Sequence, residues 1–286
     1  MEKLTTVNDC KRLTDNKVVF EKNNDCDVII ANTEILFKGK NNILYIENGV
    51  KIKGSKFVFE GNNNVVYLCK SKYTYILGVT LYNSSAFYMG EGNYINGKMN
   101  IILSERKHIF IGDYGLFSFG IWMRIADPHL IYDCDTLTRK NPSKSIFIGD
   151  HVWLGQSAMI LKGTQIGSGS IVGAMSVVSG KKIPSNSAFA GNPAKQVSQG
   201  VFFDQKSVHN FNKKQTKEYS KYNDKRYIYE YDKNSTLDFD EIDKTLDKYK
   251  KSEEKLEFLH EIRGNTNKNR FFIKKSNNKK KFLLFK

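Results

Sequence analysis

The sequence predicts an all-β solenoid, a left-handed parallel β-helix, from the spacing of three residue types in residues 148–183. Large aliphatic side chains recur there at every sixth position, namely Ile148, Leu154, Ile160, Ile166, Val172 and Val178. Glycine directly follows four of these six, and a small or branched side chain generally stands four positions after each. A period of six matches neither a strand, whose period is two, nor a helix, whose period is 3.6. It indicates short strands joined by corners, with three sides closing one triangular coil.

Each position of this six-residue unit, the hexad, has a predicted place in the coil. The leading aliphatic should point inward and stack on its counterparts in neighbouring coils. The glycines that follow should occupy tight corners, where a positive φ suits glycine. They are Gly149, Gly155, Gly167 and Gly173. The small or branched residues should also face inward, where the triangular section leaves little room. They are Val152, Ala158, Thr164, Ser170 and Ser176, and Lys182 alone breaks the rule.

The same spacing continues upstream with less regularity. It links two further sets of residues, Ile46, Ile52, Val58 and Ile111, Phe117, Met123. Two asparagine-rich segments, GKNN at 39–42 and GNNN at 61–64, lie among the first set. Asparagine tolerates left-handed corners, and its amides can stack in ladders. We therefore expect irregular coils over residues 30–123, joined with the regular hexads in one domain of residues 1–203.

Residues 124–147 interrupt the solenoid with a long segment that contains His129, flanked by Asp127 and Asp133. Binding and catalytic groups tend to lie on loops that a rigid scaffold holds in place. We therefore predict that this excursion is the active-site loop. His151 is a competing histidine, but its position in the hexad points outward, and we expect it to lie on the surface.

A different pattern begins after residue 203. Residues 237–262 have helical spacing, with Ser235 and Asp238 as a capping box and Gly264 as the stop. We expect residues 204–286 to form a helical extension that packs on the prism or on a neighbouring subunit, and to end in a basic tail. The tail from residue 264 mixes aromatics with lysines and is expected to hold an anionic polysaccharide or to touch the inner membrane face.

Composition and charge exclude several function classes. The chain of 286 residues has a net charge of +15, with nine basic and no acidic residues from Arg263 onward. Only this charge suggests nucleic acid, and we expect no such partner because the solenoid lacks a recognition motif. The N-terminus has no apolar signal segment, and no apolar run is long enough to span a bilayer. The four cysteines are scattered, which with these absences predicts reduced thiols in a cytoplasmic protein. They are Cys10, Cys26, Cys69 and Cys134.

An ordered set of motifs resembles the hexapeptide-repeat acyltransferases, and most closely those that O-acetylate capsular polysaccharides such as polysialic acid. The motifs are Asp127–Asp133, Arg139–Pro142, Ile148–Gly155, Ile160–Val178 and Ala190–Lys195. The resemblance is dense over residues 109–200 and weak beyond about 204. It implies an O-acetyltransferase that moves acetyl from acetyl-CoA to a sugar hydroxyl of a bacterial surface glycan. It also implies a homotrimer with CoA in the groove between two prisms and no metal.

The resemblance also implies residues that contact CoA. Trp153 would flank the pantetheine arm or the acceptor, and Gly173 and Ala174 would let the thiol arm approach the backbone closely. Lys181, Lys182 and Lys195 would face the phosphates, with Pro193 and Ala194 near the adenine. The choice between Lys181 and Lys182 stays open, because the spacing here is one residue longer than is common in the family.

The chemistry of acetyl transfer assigns roles to the remaining residues. A sugar hydroxyl is a poor nucleophile and needs a base, and histidine, with an unperturbed pKa of about 6.5, suits that role near pH 7. We expect His129 to accept the proton while the oxygen attacks the thioester directly. Asp127, Asp133 or a backbone carbonyl would orient the imidazole. A backbone N–H near Gly155 or Gln156 would stabilise the developing oxyanion.

Two other functions use a prism of this kind. An N-acetyltransferase acting on a nucleotide-linked amino sugar would share the fold and the acetyl donor. A zinc carbonic anhydrase needs three convergent histidines. His129 and His151 have no evident third partner in the sequence, which disfavours the zinc enzyme.

Overall fold

The chain folds as a three-sided prism of stacked parallel strands. A computed structural model describes residues 1–21 and 28–275. Each coil passes through three faces in a fixed order, which we call the first, second and third face. The first corner joins the first face to the second, the second corner joins the second to the third, and the third corner leads back to the first. The predicted all-β solenoid is thereby confirmed.

The strands of each face follow one another along the prism. Those of the first face are Glu2–Leu4, Glu34–Phe37, Lys56–Phe59, Leu77–Leu81, Met99–Leu103, Trp122–Arg124, Met159–Leu161 and Val177–Val178. Those of the second are Lys17–Phe20, Ile43–Ile46, Val65–Leu68, Ala86–Met89, Ile109–Ile111, Ile146–Ile148, Gln165–Ile166 and Lys182–Ile183. The third has one sheet of Ile29–Ala31, Lys51–Lys53 and Thr74–Tyr75, and another of Tyr94–Ile95, Leu116–Phe117, Trp153–Leu154, Ile171–Val172, Ser187–Gly191 and Ala194–Gln199. Antiparallel pairing occurs only in the first and last of these strands, which close the two ends.

The coils are longer upstream than downstream. Asn64 hydrogen-bonds to Asn42 of the preceding coil, 22 residues earlier. In the regular hexads Asp150 hydrogen-bonds to Ser168, 18 residues later. The upstream strands have up to five residues, so that two or three side chains of one strand can face inward. Phe57 and Phe59 both lie in the core, and Val58 between them faces outward, so its expected inward place in the hexad phase is wrong.

The regular hexads have the interior that their spacing predicts. All six leading aliphatics are fully buried and belong to one continuous core. The small residues four positions later are buried as well, and two of their hydroxyls reach backbone acceptors. Thr164 donates to the carbonyl of Val178, and Ser170 donates to that of Pro184. Polar side chains are tolerated in the prism because they satisfy these carbonyls.

The hexad glycines are required for a reason other than the predicted one. None of Gly149, Gly155, Gly167 and Gly173 has a positive φ. The left-handed backbone falls two residues after the first two of them, at His151 and Ser157. A Cβ on Gly155 would lie 2.5 Å from the backbone nitrogen of Ala174 in the next coil. The glycines are needed because stacked corners approach each other too closely for any side chain.

This close approach predicts a large effect of adding one methyl group. At Gly112 a Cβ would lie 2.7 Å from the backbone carbonyl carbon of Gly149. We expect Gly112→Ala to lower the free energy of unfolding by about 1–3 kcal/mol, because the coils must separate to admit it. Gly264→Ala is the matched control, since nothing lies within 4 Å of that site. Equal urea midpoints for the two variants would contradict the steric account.

The asparagine-rich segments form the predicted corners and ladder. Asn41 and Asn63 both have φ of 57°. Their neighbours Asn42 and Asn64 are buried in the first corner, where the amide of Asn64 donates to Asn42 and the amide of Asn42 donates to Asn16, both at 2.9 Å. The ladder satisfies buried amides from one coil to the next and confirms the expected stacking.

The extension contains three helices in the described residues, α1 (Lys213–Glu218), α2 (Phe239–Lys248) and α3 (Ser252–Gly264). The single helical run predicted over residues 237–262 is therefore wrong, because the chain breaks between α2 and α3. Asp238 is the N-cap of α2 and accepts from the Asp240 N–H, whereas Ser235 bonds to Asp232. Neither these helices nor any other among the described residues is long and apolar enough to cross a membrane. Cys26 and residues 276–286 of the basic tail lie outside the described residues.

Helices α2 and α3 cover the outer side of the second face, which confirms the expected packing of the extension. That side carries a column of aromatic rings, one in each of five successive coils, whose ring centroids lie 4.4–6.3 Å apart. The column consists of Tyr45, Tyr67, Tyr88, Phe110 and Phe147. Phe239 and Leu246 of α2 and Leu259 of α3 pack on it and form a second core. The second face is thus buried on both sides, which suits a parallel sheet.

Two arginines of the extension pair with a column of carboxylates on the second corner. Arg263 contacts Glu47 at 2.7 Å and Glu91 at 2.6 Å. Arg270, which is almost fully buried, donates twice to Asp150 at 2.9 Å and contacts Asp113 at 2.6 Å. Burial, together with the nearby Asp150 carboxylate, raises the pKa of Asp113 to about 6. The extension and the prism therefore share one buried ion network.

Candidate active site

The loop of residues 125–145 leaves the prism at the first corner and forms an irregular hairpin. Tyr132 and Arg139 form an antiparallel bridge, and the Lys140 N–H donates to the carbonyl of Ile131. Asn141 is the buried anchor of the hairpin. Its Oδ1 accepts from the Ile131 N–H, and its Nδ2 donates to the carbonyl of His129 at 2.7 Å and to Asp127 at 3.2 Å. Asn141 therefore holds the backbone that carries His129.

Ion pairs attach the loop to the coils above and below it. Arg139 makes a bidentate pair with Glu105 at 2.6 and 2.9 Å, and its guanidinium and the Ser143 hydroxyl bring the pKa of Glu105 to about 2. On the other side Lys162 donates to Asp127 at 2.5 Å and lowers the pKa of that carboxyl. Bidentate and charge-assisted bonds of this kind restrict orientation as well as distance. The loop is thus a rigid platform on the prism.

The imidazole of His129 projects from this platform into solvent. No hydrogen bond joins its ring to another group within residues 1–21 and 28–275. Asp127 is bound to Lys162 and Asn141, while Asp133 accepts from the backbone of Asp135 and Thr136 inside the hairpin. Neither carboxylate therefore contacts the imidazole within one chain. Both carboxylates shape the loop, and the group that orients the ring stays a prediction.

Asn141 was not singled out from the sequence, although the R-x-N-P motif at Arg139–Pro142 contains it. We expect Asn141→Ala to lower kcat about 10- to 100-fold with little change in KM, because His129 would lose its fixed backbone position. Thr138→Ala, an exposed change in the same hairpin, is the matched control. Steady-state kinetics of both variants measure the effect, and a rise in KM at constant kcat for Asn141→Ala would contradict the positioning role.

Most residues predicted to contact CoA lie at the third corner. Gly155, Gln156, Gly173 and Ala174 form two stacked turns there, and Gln156 and Ala174 are exposed. Trp153 lies on the third face, about one third exposed, with its ring 5.7 Å from that of Phe203. Pro193 and Ala194 belong to the terminal hairpin that follows, where Ala194 is buried and Lys195 is exposed. Small side chains and open backbone make this corner suitable for a thin ligand.

The other predicted lysines lie elsewhere. Lys181 and Lys182 follow the first corner, on the side of the prism that carries the His129 loop. Lys182 contacts Asp240 of α2 at 2.7 Å, an exposed ion pair that would have to open before this lysine could bind a phosphate. Lys195 lies in the terminal hairpin, next to the third corner. The three lysines therefore do not converge within one chain.

The loop and the third corner are separated by the width of the first face. Trp122 and Met159 are neighbours on the outer side of this face and are both exposed. A cavity of about 230 Å³ lies between them and Pro128 at the base of the loop. Exposed apolar side chains of this kind are typical of protein contacts. One chain thus holds the two halves of the predicted site apart, with an apolar surface between them.

His151 was predicted to lie on the surface, and this prediction is wrong because the residue is buried. Its ring is buried between the rings of Phe203 and Tyr227, at centroid distances of 4.1 and 3.9 Å, and its Nε2 lies 2.9 Å from the Phe203 carbonyl. The hexad does point this side chain outward, but residues 203–227 of the extension cover it. Desolvation lowers the pKa of His151. Its role is to fasten the extension to the third face beside Trp153.

His108, Asp243 and Asp247 form the one group among the described residues whose ligand atoms are close enough for a metal ion. The Nδ1 of His108 accepts the backbone N–H of Ala86 at 3.1 Å, so the neutral ring carries its proton on Nε2. The Nε2 atom lies 3.3 Å from an Asp247 carboxylate oxygen, and Lys107 already pairs with both carboxylates. A protonated Nε2 and a resident ammonium do not fit a metal ion. We read the group as an ion network that fastens α2.

Comparison with known proteins supports an acyltransferase. The family described as bacterial transferase hexapeptide (six repeats) matches residues 145–180. A polysialic acid O-acetyltransferase of Neisseria meningitidis is 33% identical over 177 residues, which is 62% of this chain and 82% of the relative. One of Escherichia coli O1:K1 / APEC is 35% identical over 102 residues, which is 36% of this chain and 33% of that relative.

Two crystal structures have the same fold. The polySia specific acetyltransferase NeuO superimposes with a TM-score of 0.61 at 27% identity, covering 71% of this chain and 93% of NeuO. The polysialic acid O-acetyltransferase OatWY superimposes with a TM-score of 0.55 at 26% identity, covering 68% of this chain and 90% of OatWY. These matches confirm the predicted left-handed β-helix. The chain belongs to the hexapeptide-repeat transferase family and is an O-acetyltransferase.

Proposed function

We propose that this protein transfers acetyl from acetyl-CoA to a hydroxyl of a sialic acid-containing capsular polysaccharide. The observation that carries the proposal is the exposed imidazole of His129 on a loop anchored by Asn141, in a chain similar to polysialic acid O-acetyltransferases. An exposed and rigidly carried base suits a large acceptor that arrives from solvent. The enzyme would work in the cytoplasm, where the basic tail can touch the inner membrane face.

In the proposed reaction His129 acts as general base. Its neutral imidazole accepts the proton of the sugar hydroxyl while that oxygen forms a bond to the thioester carbonyl carbon. A backbone N–H near Gly155 or Gln156 stabilises the negative charge that develops on the carbonyl oxygen. The C–S bond then breaks, and the departing CoA thiolate takes the proton from the imidazolium. No acyl-enzyme forms, so both substrates must be bound together.

The active site is proposed to assemble between two subunits of a homotrimer. The loop of one subunit and the third corner of the next would meet over the apolar first face. In that arrangement Trp122 and Met159 become buried. CoA would lie in the groove, with Gly173 and Ala174 along its pantetheine arm and Pro193 and Ala194 near its adenine. Lys195 from one subunit and Lys181 or Lys182 from the other would then face its phosphates.

Acetylation assays with a glycan panel test the proposed function. Purified protein, acetyl-CoA and polysialic acid should yield free CoA and base-labile O-acetyl ester in equal amounts. Initial rates at varied concentrations of both substrates should give intersecting lines, since a ternary complex forms. Amide products on a nucleotide-linked amino sugar, with no ester on any glycan, would establish the N-acetyltransferase instead. Parallel lines of the ping-pong type would exclude direct attack.

Mixed trimers test the shared site. His129→Ala and Trp153→Ala chains should each have low activity alone, because each lacks one half of every site. Co-expressed and co-purified, they should regain a measurable fraction of the wild-type rate, since some interfaces then pair an intact loop with an intact third face. A mixture no more active than its parents would show that both residues act within one chain. Different affinity tags on the two chains, used in succession during purification, ensure that heterotrimers are assayed.

A further inference from the structure

Two cavities meet on the second corner, across the helix-covered second face from the loop of His129. Their volumes are about 480 and 460 Å³, and both are lined by Glu91, Tyr114 and Gln205. We call them together the corner groove. One wall is the prism, and the other is the extension, through Tyr227 and Lys268. The proposed mechanism uses no residue of this groove.

The floor of the corner groove is a flat aromatic platform. The ring of Tyr114 lies directly over Gly92, so closely that a Cβ on Gly92 would be 2.5 Å from a ring carbon. This packing on Gly92 fixes the plane of the ring, and the Tyr114 hydroxyl at its edge donates to Glu91 at 2.9 Å. The residue is nevertheless 50% exposed. A fixed aromatic face that is open to solvent can stack on the apolar side of a sugar ring.

Aromatic and cationic side chains line both walls. Tyr73 stands on the prism side, held edge to face against Tyr94, and Tyr227 stands on the extension side, stacked on His151. Lys72 lies over the ring of Tyr73, and Lys268 lies over that of Tyr229, which also lines the groove. Both lysines are exposed, and neither makes an ion pair within the described part of the chain.

The carboxylates of the groove are already paired. Arg263 contacts Glu91, and Arg270 contacts both Asp113 and Asp150. Three carboxylates and six lysine or arginine side chains line the groove, so positive charge is in excess on the surface that a ligand meets.

We propose that the corner groove is a second, noncatalytic binding site for an anionic glycan, which holds the polymer acceptor while another segment of it reaches His129. The identity of the glycan rests on the proposed function. Tyr114 would stack on one sugar ring, and Lys72 and Lys268 would pair with the carboxylates of its neighbours. A polymer bound at two places on one enzyme gains a high effective concentration at the active site.

Binding to a catalytically inactive protein tests the groove apart from turnover. His129→Ala protein is titrated with long-chain polysialic acid and with a sialic acid trimer, and each groove substitution is added to it. We expect Tyr114→Ala and the double change Lys72→Glu/Lys268→Glu each to weaken binding of the long polymer about tenfold or more. Tyr114→Phe, which keeps the platform, and Lys214→Glu/Lys233→Glu, which changes equal charge elsewhere, should leave it unchanged. Thermal unfolding of every variant confirms the fold.

Steady-state kinetics of the same groove substitutions, made in the active protein that retains His129, complete the test. The groove substitutions should raise KM for the long polymer about tenfold and leave kcat and the KM for the trimer unchanged. If Tyr114→Ala and the double lysine variant both bind the long polymer with wild-type affinity, the corner groove is not a glycan site, even if the enzyme acetylates polysialic acid. Loss of polymer binding in those variants supports it even if no acetylation of polysialic acid is found. Absence of polymer binding by the His129→Ala protein overturns it outright.

Discussion

Replacement of His129 by alanine is expected to lower kcat for sugar acetylation by about 100- to 10,000-fold. That range is the usual contribution of a positioned general base. The loop should keep its shape, because Asn141 binds the His129 carbonyl and not its ring. Stability should therefore be unchanged, and the loss should fall on kcat with KM for acetyl-CoA little affected.

The measurement is the initial rate of CoA release with saturating acetyl-CoA and polymer. His209→Ala is the matched control, since that side chain is exposed and its ring has no hydrogen bond in the described residues. The control should retain the wild-type rate. If the His129→Ala protein retains more than about a tenth of the wild-type rate, His129 is not the general base. That result would leave the family assignment unaffected.

Replacement of Arg270 by methionine is expected to lower the free energy of unfolding by about 3–5 kcal/mol. The change leaves the volume similar but removes the guanidinium that neutralises Asp113 and Asp150. Removing one partner of a buried ion network leaves uncompensated charge, and that cost greatly exceeds the loss of a surface pair. Burial already raises the pKa of Asp113 to about 6 with the arginine present. Without the Arg270 guanidinium, Asp113 or Asp150 can avoid the cost of an unpaired buried charge only by binding a proton.

This proton uptake sets the pH dependence of the defect. A carboxyl whose folded pKa lies above its unfolded value destabilises the fold increasingly as pH rises from about 4 to above that folded pKa. The difference between wild type and Arg270→Met should therefore be smaller at pH 5 than at pH 8. Arg226→Met, which removes an exposed pair with Asp224, should cost at most about 1 kcal/mol. Urea unfolding measures both variants.

A compensating variant separates lost charge balance from lost packing. Asp113→Asn and Asp150→Asn added to Arg270→Met should recover part of the stability, because the buried negative charges are gone. An unchanged stability of Arg270→Met, at any pH, would mean that the second-corner network does not hold the extension to the prism.

The prism could be predicted because its information is local in the chain. A residue of the regular hexads, such as Ile160, has its nearest inward neighbours at six-residue intervals, so one stretch of 36 residues, the length matched by the family model, displays the whole pattern. The asparagine corners were visible for the same reason. Upstream the strands lengthen, and two or three residues per strand face inward. Phe57 and Phe59 lie in the core there, whereas Val58 between them does not. The spacing that sequence inspection detects is lost there although the fold continues.

The loop predicted to carry the active site was less accessible to prediction than the prism. His129 could be chosen from the sequence because it interrupts a rigid repeat, but Asn141 could not, since its role depends on three hydrogen bonds that only the folded hairpin creates. The partners of Asp127 and Asp133 were unpredictable for the same reason. Lys182 belongs to this group too, because its contact with Asp240 joins residues 58 positions apart.

Sequence periodicity thus specified the left-handed prism, its interior and the place of the loop of residues 125–145, because the interactions that produce them repeat over six residues. Folding alone determined which surfaces stay open. Rings of the aromatic column recur once per coil from Tyr45 to Phe147, and the helices that cover them begin 92 residues after the last ring, at Phe239. His151 is outward in the repeat and yet buried, because Phe203 and Tyr227 return to stack on it. Contacts between distant segments leave no period in the chain, so only the tertiary structure reveals them.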